Sequence, residues 1–533
     1  MPPPSTHESY LKNLKQWVKD HPISLDDELR QYATVFAVMQ SLNLDAARPL
    51  LESCYSDRTC GSKRRDPIVL LRILLVSLLI SQPSINKLVP FLRGQPLLRM
   101  LCGLGPDDTV PGVGTFYAFL HRLHDGRGGT VPGVERASDI ERNLSRAKQP
   151  APSERKREHS KKGKKNGKKE AQTQEEDVRT AKEIVALVMK TPDEANPDDL
   201  VDRMQRLLTF VAVKPSAERG LLGDTSKLVV GGDGSALPTG SKGIGLRTCA
   251  CPKFSKCTCD RIYSDPMARM GWDSHRKGYY NGYRFYELST TVNKHDLPLS
   301  LTIAPANRTD FTEGVRTIDR FRRHLRDHFT GWRIDIMTLD GGHDATPIYE
   351  YLSHYEMKAV IPLTGSIPAT MPGRPDVKLS KRGIPLCEAG AEMGPWGSCG
   401  KHRMNYICAL NTGLSRCPLA PEGNPDWRCR PELKRGPTTI LRGDKHPRLA
   451  PEIHRQSKQF AELRRRRSGT ERSNGLKKGL YRLLDARHRR QSFWLIRLNL
   501  IAILQHAKVW VSEQNVVEEV EKFFEISLSK KAA

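Results

Sequence analysis

The chain has 533 residues, too many for one ordinary hydrophobic core, so we expect two to four domains. Its 86 Lys and Arg against 60 Asp and Glu give a formal net charge of +26. This excess favours a polyanionic partner, most simply nucleic acid, because each phosphate that is neutralised releases counterions. Charge alone also allows a basic protein without such a partner.

A membrane protein is not expected. The most apolar run, residues 68–81, is too short to cross a bilayer and contains Arg72, so it is more typical of a buried helix. The first ten residues are polar and do not resemble a secretory leader. We therefore expect a cytoplasmic protein whose twelve cysteines are reduced.

Apolar residues recur at three- and four-residue intervals in the first 125 residues, which predicts α-helices. Breaks that contain Pro and Gly separate these helices. We assign residues 1–140 to a helical N-terminal domain and expect it to bind DNA. A plain helical bundle fits the same spacing.

Residues 141–177 are dense in Lys and Arg and nearly free of large apolar side chains, so they cannot form a core. We predict a basic disordered linker that contacts the DNA backbone; a solvated spacer is the alternative. A helical connector is predicted at 178–226.

From residue 227 the pattern changes to that of strands. We predict strands at 227–238, 283–292, 297–306, 332–340 and 358–364, with helices at 311–329 and 346–355. This order is that of an RNase H-like fold, although several α/β folds begin similarly. Residues 227–364 are therefore assigned to the first part of such a core.

Residues 365–450 are rich in Pro, Gly and Cys and interrupt this order. Because a structureless loop of that length is uncommon inside a domain, we predict a β-rich, Cys-containing insertion. Basic helices at 451–512 would complete the core, and 513–533 would form a C-terminal tail. The predicted fold class is α+β: an RNase H-like catalytic core with a β-rich insertion, preceded by an all-α N-terminal domain.

Two aspartates stand where predicted strands end. Asp233 follows 228-LVVGG-232, and Asp340 follows 334-IDIMTL-339. A carboxylate at the edge of a buried strand is costly unless it is paired or bound to metal, and these two strands would be neighbours. We predict a metal site here, with turn aspartates as the alternative. Asp310 is instead interpreted as a helix N-cap with Glu313 at the capping-box position, and Asp344 as a residue in a helix-start context.

Glu471 lies in a strongly basic run, 464-RRRRSGTERSNGLKK-478. The string from Ser468 to Glu471 fits a capping box at a helix start. Alternatively, Arg467 and Lys478 share a helical stripe with Glu471, an arrangement suited to gripping a phosphodiester beside a metal ligand. We favour the metal role.

Asp233, Asp340 and Glu471 resemble the Asp-Asp-Glu triad of bacterial insertion-sequence transposases. The spacing of Arg467, Glu471 and Lys478 resembles the Tyr-Arg-Glu-Lys signature of one large group of them, with Arg464 where the signature has Tyr. Residues 66–94 and 297–310 are also similar to segments of these enzymes. The resemblance covers most of the chain outside the linker and parts of 365–450.

The resemblance implies metal-dependent cleavage of double-stranded DNA at the ends of a mobile element, followed by strand transfer into target DNA. It implies Mg²⁺ or Mn²⁺ at the three carboxylates and DNA phosphates at Arg467 and Lys478. It further implies a homodimer on DNA and a nucleoid-associated, cytoplasmic location in a bacterium. A nuclease that does not join ends, or a catalytically silent DNA-binding protein derived from a transposase, is the alternative.

Four cysteines, Cys249, Cys251, Cys257 and Cys259, form a C-x-C-x5-C-x-C cluster. Four close thiolates suit a structural Zn²⁺ that would staple the loop between the first two strands, and free thiols fit the spacing equally well. His343, beside Asp340, is interpreted as a loop histidine. The remaining cysteines between 387 and 429 receive no assignment.

Overall fold

The computed structural model describes most of the chain apart from the Lys-rich segment after the first helices. The described residues are 6–21, 26–55, 64–82, 84–105, 107–126, 180–191, 199–252, 257, 259, 261–398, 403–408, 417, 419, 421–422, 429–430, 432–433, 436–512, 515–526 and 528. The predicted basic linker at 141–177 and Cys399 lie outside them.

Helices form the first part of the chain. In chain order they are α1 His7–Asp20, α2 Asp26–Gln31, α3 Ala33–Ser41, α4 Arg48–Glu52, α5 Pro67–Leu79, α6 Ile85–Arg93, α7 Pro96–Leu101 and α8 Val113–Asp125. Helix α5 starts where Asp66 accepts a hydrogen bond from the amide of Ile68 and Pro67 occupies the first turn. Almost all of α5 is buried, as its apolar sequence predicts.

A second helical group leads from this layer to the sheet. It consists of α9 Ala181–Lys190, α10 Leu200–Leu208 and α11 Lys214–Glu218, with a π-helical turn at Thr209–Val213 between the last two. Helix α9 begins with a complete capping box between Thr180 and Glu183.

A mixed sheet forms the centre of the molecule. Its strands are β1 Leu228–Pro238, β4 Arg269–Asp273, β5 Gly278–Val292, β6 His295–Pro305, β7 Ile334–Thr338 and β8 Lys358–Val360. Strand β5 pairs antiparallel with β1, β4 and β6, whereas β7 pairs parallel with β1 and with β8. The parallel pairing sets the carboxyl end of β7, at Thr338, beside Gly231 in the first half of β1. Strands β2 Leu246–Arg247 and β3 Arg261–Ile262 form a separate small ribbon.

Two long helices cover opposite faces of this sheet: α12 Asp310–His328 and α14 Lys458–Lys478. The alternation of side chains along β1 shows which face belongs to which helix. A Cβ at Gly231 would lie 2.8 Å from Thr470 of α14, whereas a Cβ at Gly234 would overlap the carboxylate of Asp310 in α12. Helix α13 Thr346–His354 lies between β7 and β8 in the chain.

The segment between β8 and α14 folds into short strands with a small hydrophobic core of its own. These strands are β9 Thr370–Met371, β10 Arg374–Lys378, β11 Gly394–Ser398, β12 Arg403–Ile407 and β13 Thr438–Arg442. They pair as a two-stranded and a three-stranded antiparallel sheet. A β-rich segment therefore occupies the predicted range 365–450.

Helix α15 Gln491–Trp510 joins the helical layer to the sheet, because it packs against β6, α10, α5 and α3 within one hydrophobic core. Helix α16 Val516–Phe524 follows, and its Phe524 ring lies 4.8 Å from the ring of Phe36. The segment predicted as a C-terminal tail thus contains a helix packed on the N-terminal layer. Within the described residues, every helix is too short or too polar to span a bilayer.

Two local expectations differ from the structure. Strand β4 and the ribbon β2–β3 form an excursion between β1 and β5 that the sequence did not predict. The N-cap of α12 is Thr309 and it makes no side-chain cap hydrogen bond, so the interpretation of Asp310 as the capping residue is wrong.

We expect Leu504→Ala to lower the free energy of unfolding by roughly 2–5 kcal/mol, because Leu504 is fully buried where α15 meets the sheet. Leu480→Ala is the matched control: that side chain is half exposed and its loss should change stability by about 0.5 kcal/mol or less. Urea unfolding of the full chain measures both. Equal effects would contradict a shared core centred on α15.

Candidate active site

Asp233 lies in the middle of β1, directly opposite Glu287 of β5, so the expectation that it stands where the strand ends is wrong. Its side chain shares the sheet face that is covered by α14, and it is about one-fifth exposed. Glycines precede it because α14 and Tyr286 approach the strand closely: a Cβ at Gly232 would lie 2.6 Å from the Tyr286 hydroxyl. The strand therefore holds Asp233 in a confined position.

Asp340 follows β7 immediately and caps a short 3₁₀ turn, Gly341–His343. His343 Nδ1 donates a hydrogen bond to Asp340 Oδ1, and the His343 Nε2 atom lies 3.0 Å from the Tyr286 hydroxyl. His343 is buried, so it is not an ordinary loop histidine as the sequence indicated. Its hydrogen bond orients the Asp340 carboxylate.

Glu471 lies in the interior of α14. The helix begins at Lys458, and Ser457 caps it by accepting a hydrogen bond from the amide of Phe460. The string Ser468 to Glu471 is therefore not at a helix start, which removes the capping-box alternative. The Glu471 side chain is half exposed and pairs with Arg467 instead of with the backbone of its own helix.

Arg467 stands one helical turn before Glu471 and links two of the carboxylates. Its Nη1 atom lies 3.5 Å from Asp233 Oδ1, and its Nη2 atom pairs with Glu471 Oε1. The structure thus brings Asp233, Arg467 and Glu471 together, with Asp340 at the neighbouring strand end.

Lys478 lies on the same side of α14. Burial lowers its pKa, while the negative charges of Asp273 and Asp233 oppose that effect. Arg464, in contrast, is exposed on the first half of the helix.

The site carries more negative charge than its cations balance. Burial raises the pKa of Asp233 to about 7; Arg467 opposes this, and the carboxylates of Asp310, Glu471 and Asp340 add to it. Burial acts in the same direction on Asp340, but the hydrogen bond from His343 and the charge of Arg467 outweigh it and lower the pKa of Asp340. A buried carboxylate that resists ionisation is a position where a cation would bind favourably.

The three carboxylates nevertheless do not converge on one point. Among the described residues, the ligand atoms that lie within 4.8 Å of one another belong to the four cysteines of the cluster, not to Asp233, Asp340 and Glu471. Arg467 draws Glu471 aside through their ion pair. The carboxylate oxygens are hard donors of the kind that Mg²⁺ and Mn²⁺ prefer.

A buried ion pair fixes the helix that carries Glu471. Lys477 Nζ lies 2.5 Å from Glu287 Oε2, and both side chains are fully buried. Lys477 also donates a hydrogen bond to Ser473. Burial lowers the pKa of Lys477, and the charge of Glu287 opposes it. No local pattern indicates this pair, because the partners are 190 positions apart and Lys477 looks like one more residue of a basic run.

Two further contacts repeat along the same face of β5. Ser289 and Thr470 are joined by hydroxyl groups 2.7 Å apart, and Thr291 donates to the backbone carbonyl of Arg466 at 3.3 Å. Together with Glu287, alternate residues of β5 thus hold α14 at three successive points. This register turns Arg467 and Glu471 towards Asp233.

A groove of about 450 Å³ opens beside Asp340. The hairpin of β4 and β5 forms one wall, where Trp272 and Tyr279 are exposed and their rings lie 4.9 Å apart. The start of α12, including Asp310, forms the other wall.

The cysteine cluster lies in the excursion between β1 and β4. The Sγ atoms of Cys249 and Cys257 are 3.2 Å apart, and those of Cys251 and Cys259 are 3.5 Å apart. Hydrogen bonds from the Cys251 amide and from the Cys257 thiol lower the pKa of Cys249 to about 6, which favours its thiolate.

Comparison with known families gives two matches. Residues 233–504 match the family model described as the Transposase DDE domain. The match begins at Asp233 and spans just over half of the chain. Residues 23–122 match the model described as Transposase domain (DUF772). No curated protein and no solved structure matches the chain.

We expect Lys477→Met to destabilise the protein by roughly 3–5 kcal/mol, because it leaves the carboxylate of Glu287 buried without its cation. The double variant Glu287→Leu, Lys477→Met should recover most of that loss. Arg466→Met is the control on the same helix, since its pair with Glu462 is exposed and should contribute about 0.5 kcal/mol or less. Urea unfolding decides; a small effect of Lys477→Met would show that the pair does not anchor α14.

Proposed function

The chain belongs to the family of DDE transposases, which catalyse phosphoryl transfer on DNA, and from this premise we propose that Asp233, Asp340 and Glu471 are its catalytic carboxylates. It would cleave double-stranded DNA at the ends of a mobile element and join those ends to a target. The observation that carries the assignment is the meeting of β1, the end of β7 and the middle of α14 at one place.

The sheet supports an RNase H-like core. Apart from β4, which pairs with β5, its order β6–β5–β1–β7–β8 combines two antiparallel pairings with two parallel ones. We propose this fold for the sheet with α12, α13 and α14, with the β-rich segment as an insertion before α14 and the helical layer as a preceding DNA-binding domain.

The proposed ions are Mg²⁺ or Mn²⁺. Two such ions, when bound, activate the attacking oxygen and stabilise the leaving oxygen of an in-line displacement. Asp233 supplies a carboxylate whose pKa is raised chiefly by burial, and Asp340 supplies one that His343 already orients. Glu471 is the most exposed of the three and is free to rotate from Arg467 towards them.

Arg467 and Lys478 are the proposed phosphate contacts. Arg467 lies beside Asp233 and Glu471, so its guanidinium could pair with a phosphate once Glu471 no longer occupies it. Lys478 lies partly buried on the same side of the helix and adds positive charge next to Asp233. We further propose that the protein forms a homodimer on DNA and that it is associated with the nucleoid in the cytoplasm, as the family resemblance implies.

We also propose that the four cysteines hold a structural Zn²⁺. Their Sγ atoms all lie within 4.8 Å of one another, which is close to the spread of a tetrahedral thiolate site. Four protein ligands leave no open position, so this ion would fasten the excursion between β1 and β4 without entering the reaction.

We expect Glu471→Gln to abolish cleavage of linear DNA that carries the element's own ends, in Mg²⁺, while DNA binding is retained. The loss should reach about 100-fold or more, because a neutral amide binds a divalent cation poorly. Glu462→Gln is the matched control: Glu462 lies on the same helix and also pairs with an arginine four residues away. Its activity should equal that of the wild type.

The same assay separates the alternatives. If Glu471→Gln cuts as well as wild type, Glu471 is not a catalytic ligand. If wild type cuts but never joins ends, the chain is a nuclease. If wild type binds the ends and does neither, a silent DNA-binding protein is the better account.

For the cysteines we expect one Zn²⁺ per chain, measured by elemental analysis of protein purified without chelator. The double variant Cys251→Ser, Cys257→Ser should contain none, since two ligands cannot hold the ion. Cys102→Ala, a buried cysteine of the helical layer, should retain the full content. Zinc-free wild-type protein would contradict the proposal.

A further inference from the structure

A fourth carboxylate lies beside the three that the family predicts. Asp310 is the first residue of α12, and its side chain packs directly on the backbone of β1 at Gly234, the residue after Asp233. It lines the same groove as Asp340. Asp310 is therefore next to one member of the triad and shares an open space with another.

Helix capping does not explain this side chain. Thr309 is the N-cap, and Asp310 makes no cap hydrogen bond to the first turn. Instead its Oδ2 atom lies 2.5 Å from Nη1 of Arg284, a residue of β5 on the same sheet face. Arg284 also donates to the backbone carbonyl of Trp272 at 3.1 Å, so the guanidinium is held from β4 as well.

The other oxygen of Asp310 has no such role. Oδ1 is inaccessible to solvent and, among the described residues, accepts no hydrogen bond. A buried carboxylate oxygen without a partner is costly unless a ligand satisfies it. Arg284 fixes the carboxylate through one oxygen, and the second lies against the backbone of β1 at Gly234, one residue from Asp233, on the sheet face covered by α12.

We propose that Asp310 is a further ligand of the divalent-cation site, acting with Asp233 and Asp340. This rests on the proposed metal-dependent transposase function and adds one residue to it. Asp233, Asp340, Glu471 and Asp310 would together give the site a ligand set of four carboxylates. Asp310 belongs to the preorganised part, because Arg284 and the backbone of β1 hold it in place.

The test is the affinity of the full-length protein for Mn²⁺ in the absence of DNA, measured by isothermal titration calorimetry. We expect Asp310→Asn to weaken binding by about 10-fold or more. Asp340→Asn should do the same as a positive control. The matched negative control is Asp335→Asn, a partly exposed aspartate of the same sheet that pairs with Lys358 at 3.0 Å, away from the site; its affinity should be that of wild type.

Two further variants separate metal binding from packing. Arg284→Gln breaks the ion pair but keeps the carboxylate, so it should weaken Mn²⁺ binding less than Asp310→Asn does. Asp310→Ser removes the carboxylate without adding volume against Gly234 and should behave like Asp310→Asn if that variant folds poorly. Thermal unfolding of each variant establishes that it is folded.

The outcomes are distinct. If wild type binds Mn²⁺ and Asp310→Asn and Asp310→Ser bind it equally well, Asp310 is a packing residue and this inference is wrong, while the triad stands. If Arg284→Gln reduces affinity as much as Asp310→Asn, the ion pair and not the carboxylate is responsible, and the inference is again wrong. If wild type binds no Mn²⁺, the proposed metal site and the role of Asp310 both fail.

Discussion

The active site depends on the buried ion pair between Glu287 and Lys477. Two opposite charges that are wholly removed from water stabilise each other only at close range, so this contact tolerates neither rotation nor sliding of the helix. Ser289 and Thr291 hold the same helix at the next two positions along the strand. Because Glu287 is also the cross-strand neighbour of Asp233, the ion pair sets the position of Glu471 relative to Asp233.

The second constraint is the excess of negative charge around Asp233. Arg467 balances part of this charge by pairing with both Asp233 and Glu471. Its pair with Glu471 holds that carboxylate away from the two aspartates. In the proposed function, Glu471 would leave Arg467 to join the metal site, and the freed guanidinium would pair with a phosphate. Cation binding and phosphate binding would then be coupled through one side chain.

The β-rich segment between β8 and α14 does not disturb this arrangement, because hydrogen bonds hold both of its ends next to the sheet. Asp344 is fully buried and accepts two bonds from Arg448, at 3.2 and 2.9 Å, and one from the amide of Thr364 at 2.6 Å. The chain thus leaves and re-enters the core at nearly one point. The interpretation of Asp344 as a helix-start residue missed this role, because its partner is 104 positions away.

The sequence by itself determined the elements and most of the chemistry: the apolar runs of β1 and β7, each ending near an aspartate, and the basic helix with one carboxylate. Those signals are local, because hydrophobic periodicity and strand-end polarity are properties of neighbouring residues. The tertiary structure decided what those side chains meet. Helix α14 begins thirteen residues before Glu471, so Glu471 is not a capping residue. Asp310 does not cap α12 either and instead lines the groove beside Asp340. The tertiary structure also showed that His343 donates a hydrogen bond to Asp340 and that Lys477 forms an ion pair with Glu287. Pairings of this kind depend on strand register and helix rotation, which only the packed core fixes.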